Sequence, residues 1–196
     1  MGERIFVHLV AGGVGAAARR IDQALTYAAM TSDIPGLAAR WLQWAASSDE
    51  SSSPIADASG EFAGHKQPTD VWFVAGNFGG VSSRRFDVPA DRPLFMPAFC
   101  MWSRNALTNS DVPQSFGTVK LDGGDIPMAV NSAGPVRVRG ALGNPVNGAS
   151  LFGTRMHVAG HWAYVEPLAR GLYLLEIHGG DGHGWTTSVR AEITVS

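Results

Sequence analysis

The sequence predicts a mainly β fold, an antiparallel β-sandwich with an N-terminal helical segment, and three observations carry that prediction. Glycine supplies 24 of the 196 residues and proline 11, against an average glycine content of roughly 7%, which suits a chain of many tight turns. From Asp70 onward, short apolar and β-branched runs are punctuated by Gly, Pro and Asn, the pattern of sandwiches and barrels. No alternation of strands and helices follows the polar loop at Ser47 to Ser59, which argues against a doubly wound parallel sheet. The topology expected is jelly-roll or Ig-like. At about 100–200 residues per domain, the length suits one structural domain with core enough to fold without a disulfide or metal. Its parts are expected to be an arm and helices packed on the body over 1–46, a loop over 47–69 and the sandwich over 70–196.

The first segment, Ile5 to Ala18, is the most apolar stretch, and several readings compete for it. It has the length of a secretory signal, but Glu3 offsets Arg4 ahead of it and His8 interrupts it. Gly13, Gly15 and Ala18 match a dinucleotide-binding fingerprint, yet Asp33 stands in a helix start rather than at the end of a second strand. A strand or extended arm feeding a helix from about Ala16 to Met30 is the plainer reading, and a start at Met30 is a further one. Next, Ser32 or Asp33 can cap a helix, Pro35 suits its first turn, and Leu37, Trp41, Trp44 and Ala45 recur at helical spacing. Both tryptophans therefore belong on one buried stripe.

In the body, strands are expected at Val71 to Ala75, Ser83 to Val88 continuing into Leu94 to Met96, Thr118 to Leu121 and Val136 to Arg139. Further strands are expected at Met156 to Val158, Trp162 to Val165, Leu172 to His178 and Ser188 to Val195. Val136 to Arg139 and Val189 to Val195 alternate apolar and polar residues, so each should have one wet face. Pro167 to Gly171 reads as a connection bringing two antiparallel strands together.

Trp41-Leu42-Gln43-Trp44, Val71-Trp72-Phe73-Val74-Ala75-Gly76-Asn77-Phe78-Gly79-Gly80, Arg84 to Pro89, Leu94 to Pro97, Gly160-His161-Trp162 and Pro167 to Tyr173 together resemble a family of uncharacterised bacterial β-rich proteins, often exported. The similarity runs from about Trp41 to the C-terminus. It implies a β-sandwich-like fold and no agreed activity or catalytic residues. Members often carry cysteines near the positions of Phe62 and Phe86, so the resemblance implies two aromatics here in place of a bridge.

Charge bounds the partners. With 15 Lys and Arg against 17 Asp and Glu, the net charge is −2, which offers no overall positive field to phosphate backbones or anionic lipid. Nucleic acid is not an expected partner, and no apolar run reaches the roughly 20 residues of a membrane span. The single cysteine, Cys100, forms no internal disulfide, which places the cytoplasm ahead of export without excluding the latter. Four of six histidines, His157, His161, His178 and His183, fall in the last 40 residues.

Two glycine-flanked histidines and a carboxylate, His178, Asp181 and His183, make the candidate metal site, since imidazole and carboxylate suit zinc, copper or iron and the glycines let the loop fold back. The rival reading is a hairpin loop with its polar residues in water. His157 and His161 are four residues apart, about 13 Å along a strand, and share an ion only if the chain reverses at Gly160. Cys100 lies in an apolar run and reads as a core residue before a nucleophile. Asp111, Asp122, Asp125, Glu166 and Glu176 show no acid/base spacing, and the catalytic residues are unassigned. Trp72, Trp102, Trp162 and Trp185 are core candidates or a stacking platform, with Trp162 and Trp185 the binding candidates.

The function expected is a non-catalytic binding or structural module. The alternatives are a metal-dependent hydrolase or oxygenase with a His/Asp loop site and a carbohydrate-binding module. No cofactor is predicted beyond a divalent metal. The partner is an unidentified small molecule, carbohydrate or protein, with oligomerisation open.

Overall fold

The computed structural model describes residues 33–196, and the expectations made for Ile5 to Met30 lie outside the described residues. Ile34–Ser196 forms one compact unit. It consists of helix α1 (Ile34–Ala46) and nine strands: β1 (Trp72–Phe73), β2 (Gly80–Val88), β3 (Leu94–Ser103), β4 (Phe116–Leu121), β5 (Gly124–Asp125), β6 (Met128–Val138), β7 (Thr154–Val165), β8 (Gly171–Gly180) and β9 (Thr186–Val195). The fold is mainly β, with two sheets and one helix among the described residues. One sheet has the order β1-β3-β7-β6 and the other β2-β9-β8-β4-β5. Two pairings, β1 with β3 and β2 with β9, are parallel, so the sheets are mixed rather than purely antiparallel as expected.

The inner faces of the two sheets share one core. Leu94, Met96, Ala163 and Val165 from the four-stranded sheet cluster with Phe86, Leu175, Ile177, Ala191 and Ile193 from the five-stranded sheet. Strand β9 shows why: Val189, Ala191, Ile193 and Val195 are buried, while Arg190 and Glu192 between them are exposed, the alternation of a strand with one wet face.

The other face of the four-stranded sheet is covered by α1, which packs on β6 and β7. Leu37, Trp41, Trp44 and Ala45 are buried as their spacing predicts. Trp41, Trp44, Phe73, Phe95 and Trp162 close a ring of aromatic neighbours, with successive centroids 5.3–6.1 Å apart. Such pairs add roughly 0.5–1.5 kcal/mol each beyond their burial. The indoles of Trp41, Trp44 and Trp162 donate to the carbonyls of Val74, His65 and Asn131 at 3.0–3.1 Å, so the indole donors of this layer are satisfied internally.

Three expectations are corrected. The runs at Met156 and Trp162 are one strand, β7, because Gly160 is not a turn: a side chain there would collide with Phe99 and Cys100 of the neighbouring β3. Pro167 to Gly171 joins strands of different sheets, β7 and β8, and Leu168 packs on the shared core as the chain crosses. Pro89 to Pro93 likewise crosses between sheets, so β2 does not continue into β3.

Candidate functional site

The functional candidates gather where two loops meet beside β3. The first is the turn Gly76-Asn77-Phe78-Gly79 between β1 and β2. Asn77 holds it: Nδ2 donates to Ser82 Oγ at 2.9 Å and Ser188 O at 3.1 Å, while Oδ1 accepts from Gly79 N at 2.9 Å and Thr187 Oγ1 at 2.6 Å. Arg84, 4% exposed, holds the base of the same turn by donating to the carbonyls of Ala75 and Gly76, and to those of Ile55 and Asp57. Burial lowers its pKa to about 10, with Asp57 acting in the other direction, so the guanidinium is charged at neutral pH.

The second loop is the β8–β9 hairpin. Asp181 Oδ1 accepts from His183 N at 2.7 Å and Trp185 N at 3.0 Å. The bond from His183 is the main reason its pKa falls, burial opposing and Trp185 adding to it. Side-chain capping of this kind shapes the turn. Both amides bond Oδ1.

Trp185 leaves that hairpin to lie edge-on to Phe99, centroids 5.9 Å apart at 69°. Gly79, at φ +107°, comes so close that a Cβ would stand 2.9 Å from the indole Nε1; any side chain there is both strained and in the way. Phe78, Asn77, Phe99, Cys100, Trp102 and Trp185 line a cavity of about 60 Å³. Phe78 is 48% and Trp185 37% exposed. Among the described residues, the indole N–H groups of Trp102 and Trp185 have no hydrogen-bond acceptor, and neither has the buried one of Trp72, whereas those of Trp41, Trp44 and Trp162 do.

The predicted site residues therefore separate. Trp185 sits in the cleft, but Trp162 is fully buried under α1 and offers no stacking face. His178 is exposed on β8 with its ring 5.4 Å from that of Phe116, and His183 is exposed in the hairpin. The structure does not bring His178, Asp181 and His183 together, and among the described residues no group of three His, Cys, Asp or Glu is placed to hold a metal ion. His157 and His161 lie on an unbroken strand, too far apart for one ion. Burial pushes the Cys100 thiol well above its usual value, so it is no thiolate nucleophile at neutral pH.

Four of the five candidate carboxylates serve local structure, while Glu166 keeps a buried Oε1 without a hydrogen-bond partner among the described residues. Asp111 closes a capping box with Thr108, Asp122 accepts from Leu174 N, Asp125 faces Lys120 and Glu176 faces Arg190. One contact had no signal in the sequence, a 2.9 Å bond between Ser115 Oγ and His161 Nε2, 46 positions apart. Ser115 gives its only hydroxyl proton to Val112 O at 2.7 Å, so His161 is the donor and the serine is not activated for attack.

No family model, curated protein or solved structure matches this chain.

Proposed function

We propose that this protein is a non-catalytic binding module whose ligand rests in the aromatic cleft between the β1–β2 turn and the β8–β9 hairpin, a carbohydrate ring being the ligand class. The observation that carries the reading is the pair of indoles, Trp102 and Trp185, that line one cleft and whose N–H groups have no acceptor among the described residues. A sugar presents an apolar C–H face for stacking and hydroxyl acceptors at its edge, which matches an indole's apolar body and polar tip. The cavity of about 60 Å³ is far below the roughly 300–1,000 Å³ of sites that enclose a small molecule. A ligand is therefore held by one face, an arrangement that favours recognition over catalysis. The shared core between two sheets supports a β-sandwich, jelly-roll or Ig-like, in which binding loops cluster at the ends.

The test is titration with a panel of mono- and oligosaccharides followed by tryptophan fluorescence. Binding should fall about tenfold or more in Trp185→Ala and Trp102→Ala, the loss of one stacking contact with its hydrogen bond. A panel with no binder at millimolar concentration, or a binder indifferent to both substitutions, sinks the reading.

A further inference from the structure

We propose that the β6–β7 end of the protein docks on an anionic lipid surface. Between Asp125 and Glu166 the sequence has no carboxylate, yet it holds Arg137, Arg139 and Arg155. The net charge of −2 averages this segregation away. Toward its C-terminal end, the odd-numbered face of β7 carries Ala163 and Val165 into the shared core. At the opposite end the same face presents Arg155, which stands directly across from Arg137 of β6, and Arg139 is two residues further along. All three are exposed.

Like charges placed opposite each other are unfavourable in a sheet. Among the described residues, no carboxylate forms an ion pair with any of the three. The cluster is built rather than loose. Arg137 Nη2 donates to Phe152 O at 2.7 Å, and a Cβ on Gly153, at φ +85°, would stand 2.5 Å from Arg137 Nε and 3.2 Å from Arg139 Cγ. Pro135, Arg137, Gly153 and Arg155 line an open concavity of about 480 Å³. Beneath it, Val138 and Met156 are fully buried, which gives the arginines a rigid base.

The apolar residues of the connection that follows Arg139 select the partner. The connection from β6 to β7 exposes Leu142 at 79%, Leu151 at 54% and Phe152 at 84%. Guanidinium groups pair with phosphate and carboxylate oxygens, and exposed Phe and Leu enter the acyl boundary beside them, the combination of an interfacial anchor. A polynucleotide would use the arginines and leave the leucines without a role. This surface shares no lining residue with the aromatic cleft, so its fate is independent of the carbohydrate reading.

The experiment is co-sedimentation of the full chain with phosphatidylcholine vesicles, alone or with about one-third phosphatidylserine, across a salt series. Binding only to the anionic vesicles, weakening with salt, is expected. Arg137→Gln with Arg139→Gln and Arg155→Gln should weaken it about 100-fold. Leu142→Ser with Phe152→Ser should weaken it about tenfold and keep the salt dependence. These side chains are all exposed, so an unchanged unfolding midpoint verifies each variant, and Trp185→Ala should bind vesicles as the parent does. Absence of vesicle binding, equal binding to neutral vesicles, indifference to the arginine variant, or capture of a single-stranded RNA in place of vesicles overturns the proposal.

Discussion

Trp162 and Trp185 carry the same side chain at the edge of the same sequence reading, and the fold gives them opposite fates. Trp162 is enclosed between β7 and α1, with its ring 5.3 Å from Phe95 and 5.8 Å from Trp41, and its N–H spent on Asn131. Trp185 is 37% exposed and rests on Phe99, and its N–H has no acceptor among the described residues. What separates them is whether another layer covers the strand face. An indole under a helix must satisfy its donor inside, because an unmatched buried donor costs about 1–3 kcal/mol. An indole exposed at a loop junction carries no such requirement.

The largest expected effect breaks the enclosed side of this comparison. Trp162→Ala should lose about 3–5 kcal/mol, as for large aromatic truncations in a packed core, read from the urea midpoint; a loss under about 1 kcal/mol would show that the aromatic ring is not a closed layer. Arg84→Met tests the scaffold of the open side. Four carbonyls lose their donor, so a loss of about 3 kcal/mol is expected, and the cleft should lose ligand along with stability. A parent-like midpoint would mean that the β1–β2 turn is held by Asn77 alone.

Smaller effects sharpen the contrast. Trp162→Phe keeps most of the ring and removes the bond to Asn131, at about 1 kcal/mol, whereas Trp185→Phe should stay within about 0.5 kcal/mol. Equal losses at the two positions would erase the distinction. The smallest effect is the pH response of His161. Burial lowers its pKa below the usual 6.5, with a bond at Ser115 opposing. The unfolded chain then binds a proton first as pH falls, so this contribution is complete above pH 6.5 and is lost as pH drops through the lowered folded value. His161→Gln should flatten that part of the stability–pH profile measured by urea titration; an unchanged slope would place its origin elsewhere.

Local pattern made α1 and β9 legible, because burial of Trp41, Trp44 and of Val189 to Val195 follows directly from periods of 3.6 and 2. It failed at Gly160, where glycine marks a close approach of two strands instead of a turn, and the approach exists only once β3 lies alongside. Of the residues lining the proposed cleft, the sequence singled out Trp185 as a binding candidate. Asp181 and its histidines looked like ligands because composition names the groups but not their partners. Its carboxylate is engaged by amides two and four residues away. Phe78, Phe99 and Trp102 join Trp185 across stretches of about a hundred residues, a distance over which no local signal runs.

The sequence by itself determined the β-rich class, the helix and the wet and dry faces of individual strands, since these depend on side-chain period and turn chemistry within a few residues. Only the tertiary structure decided which strands pair in parallel, which sheet each joins, which tryptophans are covered and where, among the described residues, Arg137 and Arg155 face each other without an ion-pair partner. Those outcomes depend on what lies across a face, and burial, desolvation and charge pairing are properties of that contact rather than of the residue.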